Sequence, residues 1–272
     1  MSIIHNFCIT SKCYKFLDKL DLNVIISGSN SKNLDDFPST WHKDNSGINI
    51  SSKNKNFGTL TSHYWIWKNI LQDLEDQDWI GINHYRRFWV KKNEAVEINI
   101  SNLYENILRE IPPGNDFEVL LPEKMFMENI KISKLLKKGF QNYIRDPSLL
   151  FIKKKVSIKL HFDLFHGYNL LTLAASCLNN PEKVEFEDYI NKEHSFYPLQ
   201  IFVSNKKIIN DLYEKTFSWI SKCEDKFSNL ELAGYGKERL YDFLAERYFS
   251  FYFEKKSKIK VWPFIHLHKG FY

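Results

Sequence analysis

The stretch from Gly47 to Phe88 constrains the fold more than any other part of the chain. A polar loop leads into a segment where Leu60, Tyr64, Trp67, Leu71 and Leu74 alternate at spacings of four and three, the apolar stripe of a helix. A short apolar run, Trp79 to Asn83, then reads as a buried strand. Strands of this kind, alternating with helices, belong to parallel sheets covered by helices. The strand runs out into His84-Tyr85-Arg86-Arg87. In open α/β sheets ligands bind beyond the carboxyl ends of strands. Guanidinium groups hold phosphate through bidentate, charge-assisted hydrogen bonds. The active site is therefore expected at this cluster.

The rest of the chain fits the same class. Asn6–Thr10 and Asn23–Ser27 read as buried strands, with a turn at Gly28-Ser29-Asn30. Residues 30–56 lack apolar periodicity and are expected to form a long functional loop. A helix over about 100–110 ends before Pro112-Pro113-Gly114, and Phe117–Leu121 is a strand. Residues 130–155 are basic and amphipathic, and a helix over 156–178 carries His161, Asp163 and His166. A strand over Phe196–Ser204, a helix from Lys206 to about Lys222, a last helix over about Gly236–Glu254 and a short tail complete the pattern. The expected fold is α/β, a mixed, mainly parallel central sheet flanked by helices.

Composition excludes several classes. With 43% hydrophobic and 16% aromatic residues in 272, the chain can bury a sizeable core and is not disordered. A net charge of +5 suits anionic substrates, but no basic cluster interleaves with a nucleic-acid recognition motif, so no nucleic-acid partner is expected. Cys8, Cys13, Cys177 and Cys223 lack CxxC spacing, which favours a reducing, cytoplasmic compartment. No signal peptide or apolar run long enough to span a membrane is evident. The basic stretch 131–155 could meet an anionic bilayer peripherally or simply be a solvated face. Neither GxGxxG, GxxxxGK[ST] nor GxSxG occurs, against dinucleotide-binding, P-loop and common hydrolase readings.

If residues 84–87 are extended, alternation puts His84 and Arg86 on one side and Tyr85 and Arg87 on the other. One arginine would then grip a phosphate while the other pairs with a carboxylate. Ser51, Ser52, Lys53, Asn54 and Asn56 lie upstream in a loop that could close over a ligand. The helix start near Gly58-Thr59 could offer N–H groups to phosphate, or Thr59 could be a plain N-cap. Trp65 and Trp67 read as core and Lys68 as solvated. Glu238, Asp242 and Glu246 share a helix face; such a stripe could include a general base or metal ligands, and its usual meaning is a solvated acidic surface. Glu246-Arg247 differs, because it interrupts an apolar context and is expected to be paired and partly buried. The pairs His161/His166 and His266/His268 are poor metal-ligand sets.

The segments INISSKNKNFGTLTSHYWIWKN, WIGINHYRRFW and FLAERYFSFY resemble a bacterial family of capsule and exopolysaccharide biosynthesis proteins, long catalogued as a domain of unknown function and placed among GT-A-like glycosyltransferases. The resemblance rests on Asn49, Ile50, Ser51, Asn54, Leu60, Thr61, Tyr64, Trp65, Trp67, Lys68 and Asn69, then Gly81, His84, Tyr85, Arg86 and Arg87, and finally Phe243 to Arg247. Thr59 departs from it, standing where that family has an acid.

The resemblance implies one domain over 1–272, with about 1–125 binding a nucleotide-sugar donor (a UDP-sugar) and about 126–272 a glycan or lipid-linked acceptor. The reaction implied is transfer of a hexosyl unit, galactofuranosyl among the options, in surface polysaccharide biosynthesis. Arg86 or Arg87 would neutralise the leaving diphosphate, supplementing or replacing Mn2+ or Mg2+, because Asn83-His84-Tyr85-Arg86 stands where an Asp-x-Asp metal motif is usual. Glu246, or else Asp163, would be the base. Asn49, Ser51, Asn54, Thr61, Tyr64, Lys68, His84, Tyr85, Arg86 and Arg247 are the expected substrate-binding residues. Two rivals stand beside this: a non-catalytic nucleotide- or carbohydrate-binding subunit of a polysaccharide assembly complex, and a phosphate-ester hydrolase.

Overall fold

In the computed structural model, which describes residues 2–92, 97–114, 116–127 and 156–268, strand β1 (Ile4–Thr10) is buried along nearly its whole length. Its side chains alternate between two cores, as a pleated strand requires. Phe7 and Ile9 face one packed cluster of helices, and Cys8 faces the other side with Leu17, Trp41 and Leu103. β1 pairs parallel with β2 (Asn23–Ile26) and β4 (Trp79–His84), and β2 pairs parallel with β3 (His42–Lys43).

Beyond β4 the sheet becomes mixed. β9 (Val203–Asn205) runs antiparallel to β4, β6 (Val119–Leu121) antiparallel to β9, and β10 (Ile259–Val261) parallel to β6. β4 also turns back into β5 (Arg87–Trp89), whose other edge takes the antiparallel β11 (Phe264–His266). A separate two-stranded ribbon joins β7 (Met125–Phe126) to β8 (Ser195–Phe196). The mixed α/β sheet flanked by helices is the architecture that the sequence pattern leads one to expect.

Several elements differ from their sequence readings. The helix expected over 156–178 is two, Ile158–His166 and Leu170–Ala175, broken where Gly167 takes φ +129 and Asn169 φ +61. The strand expected over 196–204 is interrupted, because Leu199 (φ +80) and Gln200 (φ +53) turn the chain in left-handed backbone conformations. The helix at 100–110 shrinks to Leu103–Asn106, and the last helix divides at Arg239 into Tyr235–Glu238 and Leu240–Lys256. The loop 30–56 contains β3 and the start of a short helix, Asn54–Phe57. The basic stretch 131–155 lies outside the described residues. Among the described residues no helix is long and apolar enough to cross a membrane.

Candidate active site

The carboxyl ends of β1, β2 and β4 open onto a cavity of about 620 Å3. Ser11 follows β1, Ser27 follows β2, and His84, Tyr85, Arg86 and Arg87 follow from β4; all six line it. Asn54, Lys55, Gly58 and Thr59 form a second wall, and Leu199, Gln200, Glu238, Arg239, Asp242, Phe243 and Glu246 a third.

The His84–Arg87 segment is not extended. Tyr85 and Arg86 form the tight turn of a hairpin in which His84 pairs with Arg87. Reversal of the chain brings all four residues to one cavity, where strand alternation had put them on opposite sides. The turn is held from behind. Asn83 Nδ2 donates to Asn6 Oδ1 (3.1 Å) and to the Phe7 carbonyl (3.2 Å), while Asn83 Oδ1 accepts from the Trp89 amide (2.9 Å). Trp89 Nε1 donates to the Ile82 carbonyl at 3.0 Å, and the Leu267 amide donates to the Arg86 carbonyl at 2.8 Å. Tyr85 stacks on Tyr14 with centroids 4.8 Å apart, and the Arg86 guanidinium lies 4.9 Å from the Tyr85 ring. Burial, with Arg87, His63 and Arg239 adding to it, holds the His84 imidazole well below its usual range. These causes favour the neutral imidazole, and its buried Nε2 has no hydrogen-bond partner among the described residues.

The loop wall is tied by a residue that sequence reasoning passed over. Asp44 is fully buried and accepts four hydrogen bonds. They come from the Gly28 amide (2.8 Å), the Ser29 amide (2.9 Å), Ser51 Oγ (2.7 Å) and Thr61 Oγ1 (2.6 Å). Around this knot Asn54 Nδ2 donates to the Gly58 carbonyl (2.7 Å), Thr61 Oγ1 (3.0 Å) and Ser27 Oγ (3.1 Å). Thr59 does not cap its helix. Its hydroxyl instead donates to Asp242 Oδ1 at 2.9 Å. The Thr61 and Ser62 amides, which could have held an anion, bond to the carbonyls of Gly58 and Thr59.

The third wall is acidic and basic together. Asp242, expected on a solvated face, is only 5% exposed. It pairs with Arg239 and accepts from Gln200 Nε2 (3.2 Å). Burial raises its carboxyl above the usual range, Glu246 adds to the rise, and Arg239, Thr59 and Gln200 oppose it. Gly58 packs directly against this pair in a backbone region reserved for glycine (φ +51, ψ −129). A Cβ there would meet Arg239 Nη2 at 2.5 Å and Asp242 Oδ2 at 2.6 Å. Glu246 accepts from the Leu199 amide at 2.7 Å and pairs with Arg247. The left-handed turn at Leu199-Gln200 thus aims one donor at Glu246 and one at Asp242. Strained backbone of this kind costs roughly 1–3 kcal/mol per residue and concentrates at functional sites.

Of the residues anticipated from sequence, Asn54, His84, Tyr85, Arg86, Arg87 and Glu246 come together here. Ser51 and Thr61 sit behind them in the Asp44 knot. Asn49 clamps its own loop, donating to the Asn45 (3.1 Å) and Gly47 (3.0 Å) carbonyls. Tyr64 packs edge-on to Phe217, and Lys68 Nζ lies 3.3 Å from the Trp67 ring, both away from the cavity. Asp163 is placed elsewhere, bound to Lys159 (2.7 Å) and the Asn169 amide (2.9 Å). Arg247 is buried beside Glu246. Arg239 and Gln200 were not anticipated as site residues, Gly58 was anticipated only as part of a helix start that could hold phosphate, and Asp242 only as one member of the acidic stripe. The acidic stripe held the one usable signal, for Asp242.

Among solved structures, the fold is similar to the apo structure of the WbbM bifunctional glycosyltransferase, with a TM-score of 0.67 and 19% identity. That similarity covers 98% of this chain and 45% of that one, so the chain spans less than half of that protein's length. The class that the fold defines is GT-A-like. The chain belongs to the family described as Domain of unknown function (DUF4422), which matches residues 7–257. No curated protein matches it.

Proposed function

We propose that the protein is a glycosyltransferase that moves a hexosyl unit from a nucleotide-diphosphate sugar, a UDP-sugar, to a glycan or lipid-linked acceptor in surface polysaccharide assembly. One observation carries the reading: a cavity with an arginine-bearing hairpin on one side and, on the other, the buried carboxylate of Asp242 beside the partly buried Glu246. Donor cleavage releases a diphosphate, and the main catalytic demand is charge already positioned to receive it. Arg86 and Arg87 on the hairpin, and Arg239 across the cavity, supply that charge. Glu246 takes the acceptor hydroxyl's proton, the oxygen attacks the anomeric carbon, and the bonding pair leaves with the diphosphate. The carboxylate oxygens keep lone pairs for this after meeting Leu199 and Arg247. The acid that Thr59 lacks is met across the cavity by Asp242, 2.9 Å from the Thr59 hydroxyl.

The donor set fits Mn2+ or Mg2+ poorly. Among the described residues no three His, Cys, Asp or Glu side chains converge, and no step above passes through a metal. Peripheral membrane contact and a cytoplasmic location belong to this proposal as the setting for a lipid-linked acceptor. The test is thermal shift with a panel of nucleotides and nucleotide sugars, with and without manganese, repeated in Arg87→Ala. A diphosphate nucleotide should raise the melting temperature of the wild type by mass action and lose its effect in the variant. No shift with any nucleotide rejects the transferase and favours a non-catalytic carbohydrate-binding subunit.

A further inference from the structure

Glu246 and Phe243 border a second cavity of about 220 Å3 as well as the first. Its walls are aromatic, Phe165, Phe196 and Phe243, with His161, His166 and Arg247 supplying polar atoms. Pockets for drug-sized ligands span roughly 300–1,000 Å3, so this one suits a single ring and not a nucleotide sugar.

Its polar atoms suit hydroxyls better than an anion. Arg247 is 1% exposed, and its charge is already met by Glu246. Arg247 Nη2 lies 3.3 Å from His161 Nδ1 and 3.5 Å from His166 Nε2, and the guanidinium sits 4.1 Å from the Phe196 ring centroid. Burial and the neighbouring Arg247 push His161 down to about 3, and a neutral imidazole both donates and accepts. Aromatic faces for C–H surfaces beside groups that pair with hydroxyls are the chemistry of a hexose ring.

We propose that this cavity is the acceptor subsite, seating a terminal hexose of the acceptor beside Glu246 with its reactive hydroxyl directed to the junction with the first cavity. The acceptor role rests on the transferase reading; sugar recognition does not. With a ring seated there, one of its hydroxyls meets Glu246 at the junction of the two cavities. The donor and the acceptor ring then occupy separate cavities and meet only at this junction, where the hydroxyl oxygen reaches the anomeric carbon while Glu246 takes its proton.

The experiment is saturation-transfer NMR on the full chain with methyl β-galactoside, methyl α-glucoside and methyl α-mannoside, with and without UDP and UDP-galactose. At least one hexoside should bind, and neither nucleotide should displace it. Phe165→Ala should weaken it about tenfold, the scale of a lost aromatic contact, and Phe165→Leu, which keeps the apolar volume, should do the same. Phe165 is half-buried at the end of its helix, and UDP binding should be unaltered in both variants. The proposal is overturned if no hexoside binds, if both variants bind it as the wild type does, or if UDP-galactose competes it away. A hexoside held through Phe165 by a protein that binds no nucleotide sinks the transferase reading and leaves the sugar site standing.

Discussion

Replacing Asp44 by Asn tests whether the loop wall of the cavity hangs on one carboxylate. Asp44 Oδ1 accepts from the Ser29 amide and Ser51 Oγ, and Oδ2 from the Gly28 amide and Thr61 Oγ1. An asparagine oxygen keeps one such pair, and its NH2 then faces one N–H and one O–H. The hydroxyl can rotate to accept, but the backbone N–H cannot. One buried donor is left unpaired, at about 1–3 kcal/mol, and each retained bond loses roughly 1 kcal/mol of charge assistance. Burying a neutral amide in place of a carboxylate offsets part of this, leaving a net loss of about 2–4 kcal/mol. At roughly 2–4 °C per kcal/mol for a protein of this size, the melting temperature should fall on the order of 5–15 °C. Denaturant unfolding at neutral pH, with calorimetry, measures both quantities. Nucleotide affinity should fall too, because Ser27 and Asn54 are positioned through the same knot. A stability change under about 1 kcal/mol would refute this account of the loop.

Gly58→Ala should lower both stability and nucleotide affinity, since its Cβ would lie within 2.6 Å of Arg239 and Asp242; wild-type affinity by calorimetry would show that the wall yields freely. Burial holds His63 down to about 3, so between pH 6.5 and 3 the unfolded chain binds a proton that the native one does not. Its stabilising contribution is full above pH 6.5 and is lost as pH falls, by about 2–3 kcal/mol between pH 7 and 4.5. The fall in unfolding free energy should be shallower in His63→Gln, and an identical slope would show that another group controls it. Glu246→Gln should slow transfer about 10²–10⁴-fold while leaving nucleotide binding within a factor of two or three; turnover near wild type would remove Glu246 as the base.

What the sequence determined by itself was local. The runs at β1, β2 and β4 are short, largely apolar stretches bounded by polar turns, so position and burial follow from composition within a few residues. The cluster after β4 was legible as a site because charge crowds at the end of a buried strand. Its shape was not. A Tyr-Arg hairpin turn carries none of the Gly or Asn signals of tight turns, and the turn exists because β5 finds a partner in β11, from the far end of the chain.

The same holds for the left-handed turn at Leu199-Gln200, which is held by Glu246 and Asp242 across the sequence and not by residue type. Asp242 follows the helical spacing of a solvated acidic face, yet its helix is buried on most sides, and only packing against Gly58 and Thr59 turns that residue into a wall of the cavity. Asp44 gathers donors from Gly28, Ser29, Ser51 and Thr61, a set with no periodicity for a local reading to detect. Strands and helices follow from neighbouring side chains. A site assembled from the ends of many elements is decided only when tertiary packing fixes which polar groups lose water together.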